Sequence, residues 1–306
     1  MSVLDLMAFD LLLDRDYLES ILHNKRGQYR RIRLQNDRVV WQPSATLALM
    51  QYWLVDWISE MDKRELPFAT AYEPGMGIVV NAKRHIGAKH ALAMDIHKFF
   101  PSIGAHMLGG YFASTIEESG ASAGIEDRDI GLLLDIALFN GGLVMGSPCA
   151  PYLANRVMAP VDERIWLEVA NTRGLTYTRY SDDLFFSSPE WIEPSIVGEI
   201  AILLQECGLQ VNSSKTRFMS EGTGINIAGV YVGQKRITLG QKRKRELKER
   251  LYQFCTNDNP TPDSARSLLG FLSFCKSVEP SYVGFMLTKY STYGGDIMLR
   301  IKDACS

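Results

Sequence analysis

The chain has 306 residues, of which 46% are hydrophobic and 10% aromatic, and a net charge of -2. That is enough apolar material for a sizeable core and two or three subdomains, and it excludes wholesale disorder. No uncharged apolar run approaches the roughly 18 residues of a membrane span, and the N-terminus carries acids where a secretory signal carries basic residues, so a soluble, cytoplasmic protein without a membrane partner is expected.

Residues 1–22 alternate apolar and acidic at helical spacing. A short basic strand, Arg31-Ile-Arg33-Leu, leads to Trp41-Gln-Pro43-Ser44, where Pro43 and Ser44 open a long apolar helix over Leu47 to Ile58. Pro67 to Gly87 is rich in Gly, Pro and Ala and reads as loop with a short helix. Next, Ala91-Leu-Ala-Met-Asp95-Ile96 reads as a buried strand that ends in an acid. Residues 104–140 are helical, with a soft loop at Ser119 to Gly124. In Gly141-Gly-Leu-Val-Met-Gly146-Ser147-Pro148, a permissive backbone precedes Ser147 as N-cap and Pro148 as first helical residue. Leu153, Val157, Val161 and Ile165 form the apolar stripe of the helix that follows, which Pro160 should kink or split. Leu175 to Ser187 is β-rich on both sides of Ser181-Asp182-Asp183 and predicts a hairpin with carboxylates at its turn. A helix (Ile196 to Cys207), a short strand (Leu209 to Val211), a hairpin (Asn226 to Leu239), a basic helix from Gln241 and further helices after Pro262 complete the chain. The five cysteines are scattered without a CxxC pair, so buried reduced thiols are expected rather than disulfides or a zinc site.

The near-neutral total hides an asymmetry. His23 to Val40 holds six Arg/Lys against one Asp, and Arg236 to Arg250 holds seven against two Glu, so each segment carries +5 and the remaining 273 residues carry -12. Such concentration suits a polyanion held between two surfaces, although charged helices are also commonly just solvated faces. Three carboxylates stand apart: Asp95 at a strand tip, and Asp182 with Asp183 at a hairpin tip. Were the strand and hairpin sheet neighbours, the acids would converge into an oxygen cluster suited to Mg²⁺, or to Mn²⁺, with substrate phosphates completing the shell. Two such ions roughly 3.5–4 Å apart would activate an attacking hydroxyl and stabilise departing pyrophosphate. Adjacent acids in a turn can equally do no more than cap their own backbone.

Met94-Asp95-Ile96-His97-Lys98-Phe99-Phe100-Pro101-Ser102-Ile103 and Tyr180-Ser181-Asp182-Asp183-Leu184 together resemble motifs A and C of reverse transcriptases, specifically those of bacterial retrons. Asn81-Ala82-Lys-Arg-His85 resembles the retron NAxxH element. Gly146-Ser-Pro148-Cys-Ala-Pro151-Tyr-Leu-Ala-Asn155 resembles motif B, and Gly208-Leu-Gln-Val-Asn212-Ser-Ser-Lys215-Thr216-Arg217 resembles motif D. Ala228-Gly229-Val230 stands where retron enzymes carry a primer-grip element. The resemblance spans about residues 25–295; it departs at Met145, where relatives usually carry Gln, and over Glu73-Pro-Gly-Met-Gly77, which lacks the basic residue many relatives have there.

That resemblance implies an α+β right hand: N-terminal helices and fingers over 1–90, a palm with an RRM-like antiparallel sheet over 91–235 with a fingers insertion at about 104–145, and a helical thumb over 236–306. Asp95, Asp182 and Asp183 would form the metal site, with the Ile96 carbonyl helping. Phe100 would close the floor under the incoming sugar and exclude a 2′-hydroxyl, although Phe99 and Phe100 could both be core. Lys215 would protonate departing pyrophosphate; alone, it reads as a surface lysine. Arg31, Arg33 and Gly146 would serve the nucleotide. Asn81, His85, Tyr180, Gly229, Lys242, Arg243, Arg245 and Arg250 would serve RNA and primer, against plainer readings of Tyr180 as strand packing and His85 as a capped loop residue. Leu247, Leu251 and Phe254 give the thumb helix an apolar stripe and leave its cations for a duplex backbone.

For function, the resemblance implies an RNA-directed DNA polymerase that copies its cognate noncoding RNA into a branched RNA-DNA hybrid, msDNA, from a 2′-hydroxyl of an internal guanosine. Implied partners are that RNA, dNTPs, a host RNase H and a separately encoded toxic effector in antiviral defence. The rivals are a defence-associated or abortive-infection reverse transcriptase that primes on protein or works without a dedicated branched RNA, and an RNA-binding scaffold whose catalysis is dispensable.

Overall fold

A computed structural model describes residues 2–34, 38–120, 125–257, 260–293 and 295–305. In chain order the helices are α1 Val3–Leu11, α2 Arg15–His23, α3 Ala45–Met61, α4 Ile78–Arg84, α5 Phe99–Ser102, α6 Ala105–Glu118, α7 Asp127–Ala137, α8 Ala150–Ile165, α9 Ile196–Glu206, α10 Gly240–Thr256, α11 Pro262–Val278, α12 Pro280–Ser291 and α13 Ile297–Cys305. The strands are β1 Tyr29–Arg33, β2 Val39–Pro43, β3 His90–Asp95, β4 Thr176–Tyr180, β5 Asp183–Ser188, β6 Arg217–Ser220, β7 Ile225–Ile227, β8 Val230–Val232 and β9 Ile237–Thr238. Four of them form a sheet in the order β4-β5-β3-β6. Two compact units emerge: Met1–Gly75 with Met94–Leu184 and Glu193–Thr216, and Met76–Ala93 with Phe185–Ile192 and Arg217–Ser306.

In the first unit, α1 and α2 replace the single periodic stretch read at the N-terminus, because Leu12 takes a left-handed φ of 54° at the end of α1. Ser44 caps α3 as expected, its Oγ accepting from the Leu47 N–H. Leu47, Met50, Gln51, Leu54 and Ile58 then line the buried face of that helix. The antiparallel pair β1–β2 sets Arg31 opposite Trp41 and Arg33 opposite Val39. Helix α8 starts later than its sequence signals: Cys149 is the N-cap residue and Ala150 the first helical one. The reason lies in the Ser147 hydroxyl, which donates to Gln51 Oε1 at 3.0 Å rather than accepting from a helix N–H. Leu153, Val157, Val161 and Ile165 are buried as the stripe predicted. Pro160 does not split α8, which runs on to Ile165 and continues as a π-helical turn over Trp166–Ala170. Of the loop expected at Ser119 to Gly124, residues 121–124 lie outside the described residues.

In the second unit, β6 pairs antiparallel with the His90–Ala93 part of β3, Leu92 facing Phe218. Asn226 to Leu239 forms a three-strand ladder, β7-β8-β9, where a hairpin was expected. Its first turn has two residues, Ala228 and Gly229, both at positive φ (47° and 87°), the twist that suits a tight hairpin. Helix α4 packs on β7 and β8, while α10 packs on α11 and α12. Leu247, Leu251 and Phe254 are buried on α10, as its apolar stripe requires. The cysteines are free thiols; Cys149, Cys255 and Cys275 are buried, Cys207 and Cys305 partly so. No described helix is long and apolar enough to cross a membrane.

Candidate active site

Strand β3 is buried along Ala91 to Asp95, so its run of small and aliphatic side chains delivers one carboxylate to its tip. Asp95 is only 4% exposed. The β4–β5 hairpin delivers the other two, turning at Ser181 and Asp182, with Ser181 in the left-handed region at φ 59°. A backbone bond from the Ile96 N–H to the Asp182 carbonyl (2.9 Å) ties the strand end to that turn. On the other side the Asn212 N–H donates to the Asp95 carbonyl (2.7 Å) and Val211 bridges to Ile96, so the expected strand at 209–211 reduces to one bridge.

The Asp95 carboxylate is fully engaged: Lys215 Nζ donates to Oδ2 at 2.6 Å and Asn212 Nδ2 to Oδ1 at 3.0 Å. Its bond to Asp95 holds the Lys215 ammonium above the usual lysine range, with Asp182 and Asp183 adding to the effect. Burial pushes the Asp182 carboxyl up and the Asp95 charge pushes it further, while Lys215 and Arg38 oppose the rise. The acids and Lys215 therefore share one electrostatic neighbourhood.

The acids do not close into the three-carboxylate cluster that the sequence suggested. Among the described residues no three carboxylate, imidazole or thiolate groups are near enough to cage an ion unaided. Like charges separate unless a cation lies between them, and here the Lys215 ammonium supplies the positive charge. The donor set still suits Mg²⁺, which commonly takes one or two carboxylates and completes its shell with water and substrate phosphate.

Around the acids, Phe100 is half-buried and Phe99 is core. The Phe100 ring centroid lies 6.4 Å from that of Tyr72, whose hydroxyl is 3.1 Å from Ser181 Oγ. Gly146 has φ 103°, and a Cβ there would lie 2.7 Å from the Trp41 carbonyl oxygen, so the close approach of β2 demands glycine. The neighbouring Met145 carbonyl accepts from the Trp41 N–H. Arg31 and Arg33 are exposed on β1, and Tyr180 is half-buried at the end of β4. Sequence reasoning missed Tyr72, Asn212 and Arg38 as members of this neighbourhood, and it missed Arg179. Asn212 lay inside a quoted motif, but its bond to Asp95 spans 117 residues and leaves no local signal.

The second unit holds the remaining candidates. Asn81 and His85, expected to face RNA, are 0% and 1% exposed. His85 Nδ1 lies 2.7 Å from Ser187 Oγ, so the side chain works inside the fold. Gly229 sits at its hairpin turn, where a Cβ would meet Arg243 Nη2 at 2.8 Å. The basic face of α10 is divided. Arg243 stacks over Phe274 and Arg250 over Phe271, both at 4.5 Å, while Lys244 pairs with Glu279 at 2.8 Å, so these three cations are committed within the unit. Lys242, Arg245 and Lys248 are exposed.

Strand-tip and hairpin-tip acids thus stand beside a lysine, and comparison with known proteins gives the class. The chain belongs to the reverse transcriptase (RNA-dependent DNA polymerase) family, which it matches over residues 24–285. It is thus an RNA-directed DNA polymerase. It is 29% identical over 257 residues to the retron Ec86 reverse transcriptase of Escherichia coli, spanning 83% of this chain and 74% of that protein. To the retron Mx65 reverse transcriptase of Myxococcus xanthus it is 30% identical over 227 residues, 70% of this chain and 52% of that one. The retron Ec83 reverse transcriptase of Escherichia coli is 26% identical over 266 residues, 83% of this chain and 82% of that one. These likenesses support the bacterial retron type within the family.

Burial, helped by the Arg84 charge, lowers the His85 pKa from 6.5 to about 4. A base whose folded pKa is depressed binds more protons when unfolded, so its contribution is complete above pH 6.5 and is lost as pH falls toward 4. Urea unfolding across that window should show the wild type losing about 3 kcal/mol more than a His85→Asn variant. Equal losses would mean that His85 is protonated in the fold.

Proposed function

We propose that this RNA-directed DNA polymerase copies its cognate structured noncoding RNA into msDNA. Synthesis begins on the 2′-hydroxyl of an internal guanosine and leaves a branched RNA-DNA hybrid. The observation that carries the chemistry is the buried Asp95 carboxylate bonded to Lys215 beside the Asp182–Asp183 turn; the likeness to retron enzymes supports the choice of template.

In this reading Asp95 and Asp182, with the Ile96 carbonyl and the added charge of Asp183, would hold two Mg²⁺ or Mn²⁺ ions. Bound there, the ions supply Lewis acidity to the attacking hydroxyl and to the leaving group. The priming hydroxyl loses its proton to water as its oxygen forms a bond to the α-phosphorus of a dNTP, the bond from that phosphorus to the β-phosphate bridging oxygen breaks, and pyrophosphate departs. Lys215, already a charged donor in the neighbourhood of the acids, delivers a proton to pyrophosphate. Phe100 forms the floor under the deoxyribose and Tyr72 supports it from the side. Arg31, Arg33 and Arg38 attract the triphosphate, and Gly146 serves the nucleotide indirectly, by letting β2 pack against the loop before α8.

Tyr180 and Gly229 serve the primer strand. The exposed Lys242 and Arg245 neutralise duplex phosphates; Arg243 and Arg250 contribute by holding α10 on its neighbours. Asn81 and His85, buried in and at the end of α4, act on the RNA only indirectly, by holding that helix in place. A host RNase H removes template, and the complex restrains a separately encoded effector in antiviral defence in the cytoplasm.

Expression with native flanking DNA, followed by purification and denaturing electrophoresis of bound nucleic acid, tests this reading. A discrete DNA that shortens after RNase and after debranching enzyme is expected; DNA linked to protein and insensitive to both would point to protein priming. For the nucleotide floor, Phe100→Ala should lower discrimination against ribonucleotides by at least about tenfold, measured as the ratio of kcat/KM for dNTP and rNTP. An unchanged ratio would remove Phe100 from that role.

A further inference from the structure

We infer that Arg179 is a positioning residue for the catalytic turn, acting by clamping the peptide that carries Asp182. The inference rests on the reading of Asp95 and Asp182 as metal ligands.

Arg179 sits on β4, two residues before Ser181, and its side chain is wholly buried. An arginine stripped of water needs a counter-charge and an acceptor for each of its donors. Asp162 of α8, itself buried, provides the charge: Arg179 Nε donates to Oδ1 at 2.9 Å and Nη2 to Oδ2 at 2.8 Å. Tyr177 donates its hydroxyl to the same carboxylate at 2.7 Å. The remaining nitrogen, Nη1, donates to Asn155 Oδ1 at 3.0 Å and to the Ser181 carbonyl at 3.1 Å. Asn155 in turn donates to the Ala71 carbonyl at 2.8 Å and to Glu73 Oε1 at 2.9 Å.

The Arg179 backbone is fixed as well. Its N–H donates to the Phe68 carbonyl, and its own carbonyl accepts from the Thr70 N–H and hydroxyl, each at 2.8 Å. The guanidinium is therefore a rigid fork with a fixed base, and one of its donors ends on the catalytic turn.

That bond has a specific geometric effect. Ser181 holds φ 59°, a conformation unfavourable for a residue with a Cβ. Its carbonyl belongs to the peptide plane shared with the Asp182 N–H, so a donor on that carbonyl sets the plane from which the Asp182 side chain departs. Stability alone does not require charge here, since apolar replacement of a buried ion pair is often neutral or stabilising. An apolar pair could fill the space but could not donate to Ser181.

Two variants separate positioning from stability. Arg179→Lys keeps a charge beside Asp162 but loses the planar fork that serves both Asp162 and Ser181. The double variant Arg179→Met with Asp162→Leu removes the pair and keeps the site filled. In full-length protein, Mn²⁺ binding would be followed by electron paramagnetic resonance, alongside nucleotide incorporation, primer-template affinity and thermal unfolding. The clamp predicts for both variants at least about a tenfold weaker Mn²⁺ affinity and a similar fall in kcat. It predicts primer-template affinity within about twofold of wild type, and for the double variant, which leaves the Tyr177 hydroxyl without its acceptor, a fall in thermal stability too small to unfold it at the assay temperature.

Mn²⁺ affinity and kcat that stay at wild-type values in the stably folded double variant would overturn the clamp. So would losses in Arg179→Lys that merely track its fall in thermal stability. A wild-type protein that binds no Mn²⁺ and extends no primed RNA would overturn the metal-site reading, and the clamp with it.

Discussion

Carboxylates brought into one partly desolvated neighbourhood repel each other, and they persist as charges only if something positive answers them. The site of this polymerase is organised around that constraint. Asp95 meets it with Lys215 and Asn212, one on each oxygen. Asp182, pushed upward by burial and by Asp95, is steadied by Lys215 and Arg38. Lys215 is half-exposed while its partner is buried, so the ammonium is the member of the pair best able to move. In the proposed mechanism this one lysine would serve both as counter-charge to Asp95 and as proton donor.

The same constraint shapes α10 differently. A helix as basic as α10 repels itself unless its cations are screened or engaged. Two of them lie half-buried against the next helix, where Phe271 and Phe274 present ring faces to Arg250 and Arg243. Such contacts are worth more when water is excluded. The exposed cations Lys242, Arg245 and Lys248 form a narrower strip than charge counting implies.

Much of this arrangement was legible in the sequence where a signal was local. Asp95 stood out because a charge ending a buried apolar strand needs a reason. The Ser181-Asp182-Asp183 turn stood out between two β-rich runs, and the stripe of α8 followed from its spacing. What escaped was long-range. Asp162 lies on α8, 17 residues before Arg179, and reads there as ordinary helix polarity; only the fold shows it buried against a guanidinium. Ser147 carries every mark of an N-cap, yet its hydroxyl is taken by Gln51, 96 residues away. Arg243 and Arg250 read as free cations because their aromatic partners come two to three helical turns into the next helix. Composition and periodicity report on the backbone and on one face at a time, whereas buried polar partners are chosen in three dimensions.

The central claim is that the strand-tip and hairpin-tip acids perform nucleotidyl transfer. Extension of a primed RNA template by wild type and by the Asp182→Asn, Asp183→Asn double variant, each with primer-template affinity measured in parallel, tests it most directly. Wild type should incorporate dNTPs, and the double variant should bind primer-template as well as wild type without incorporating. Incorporation by the double variant at the wild-type rate would contradict the account.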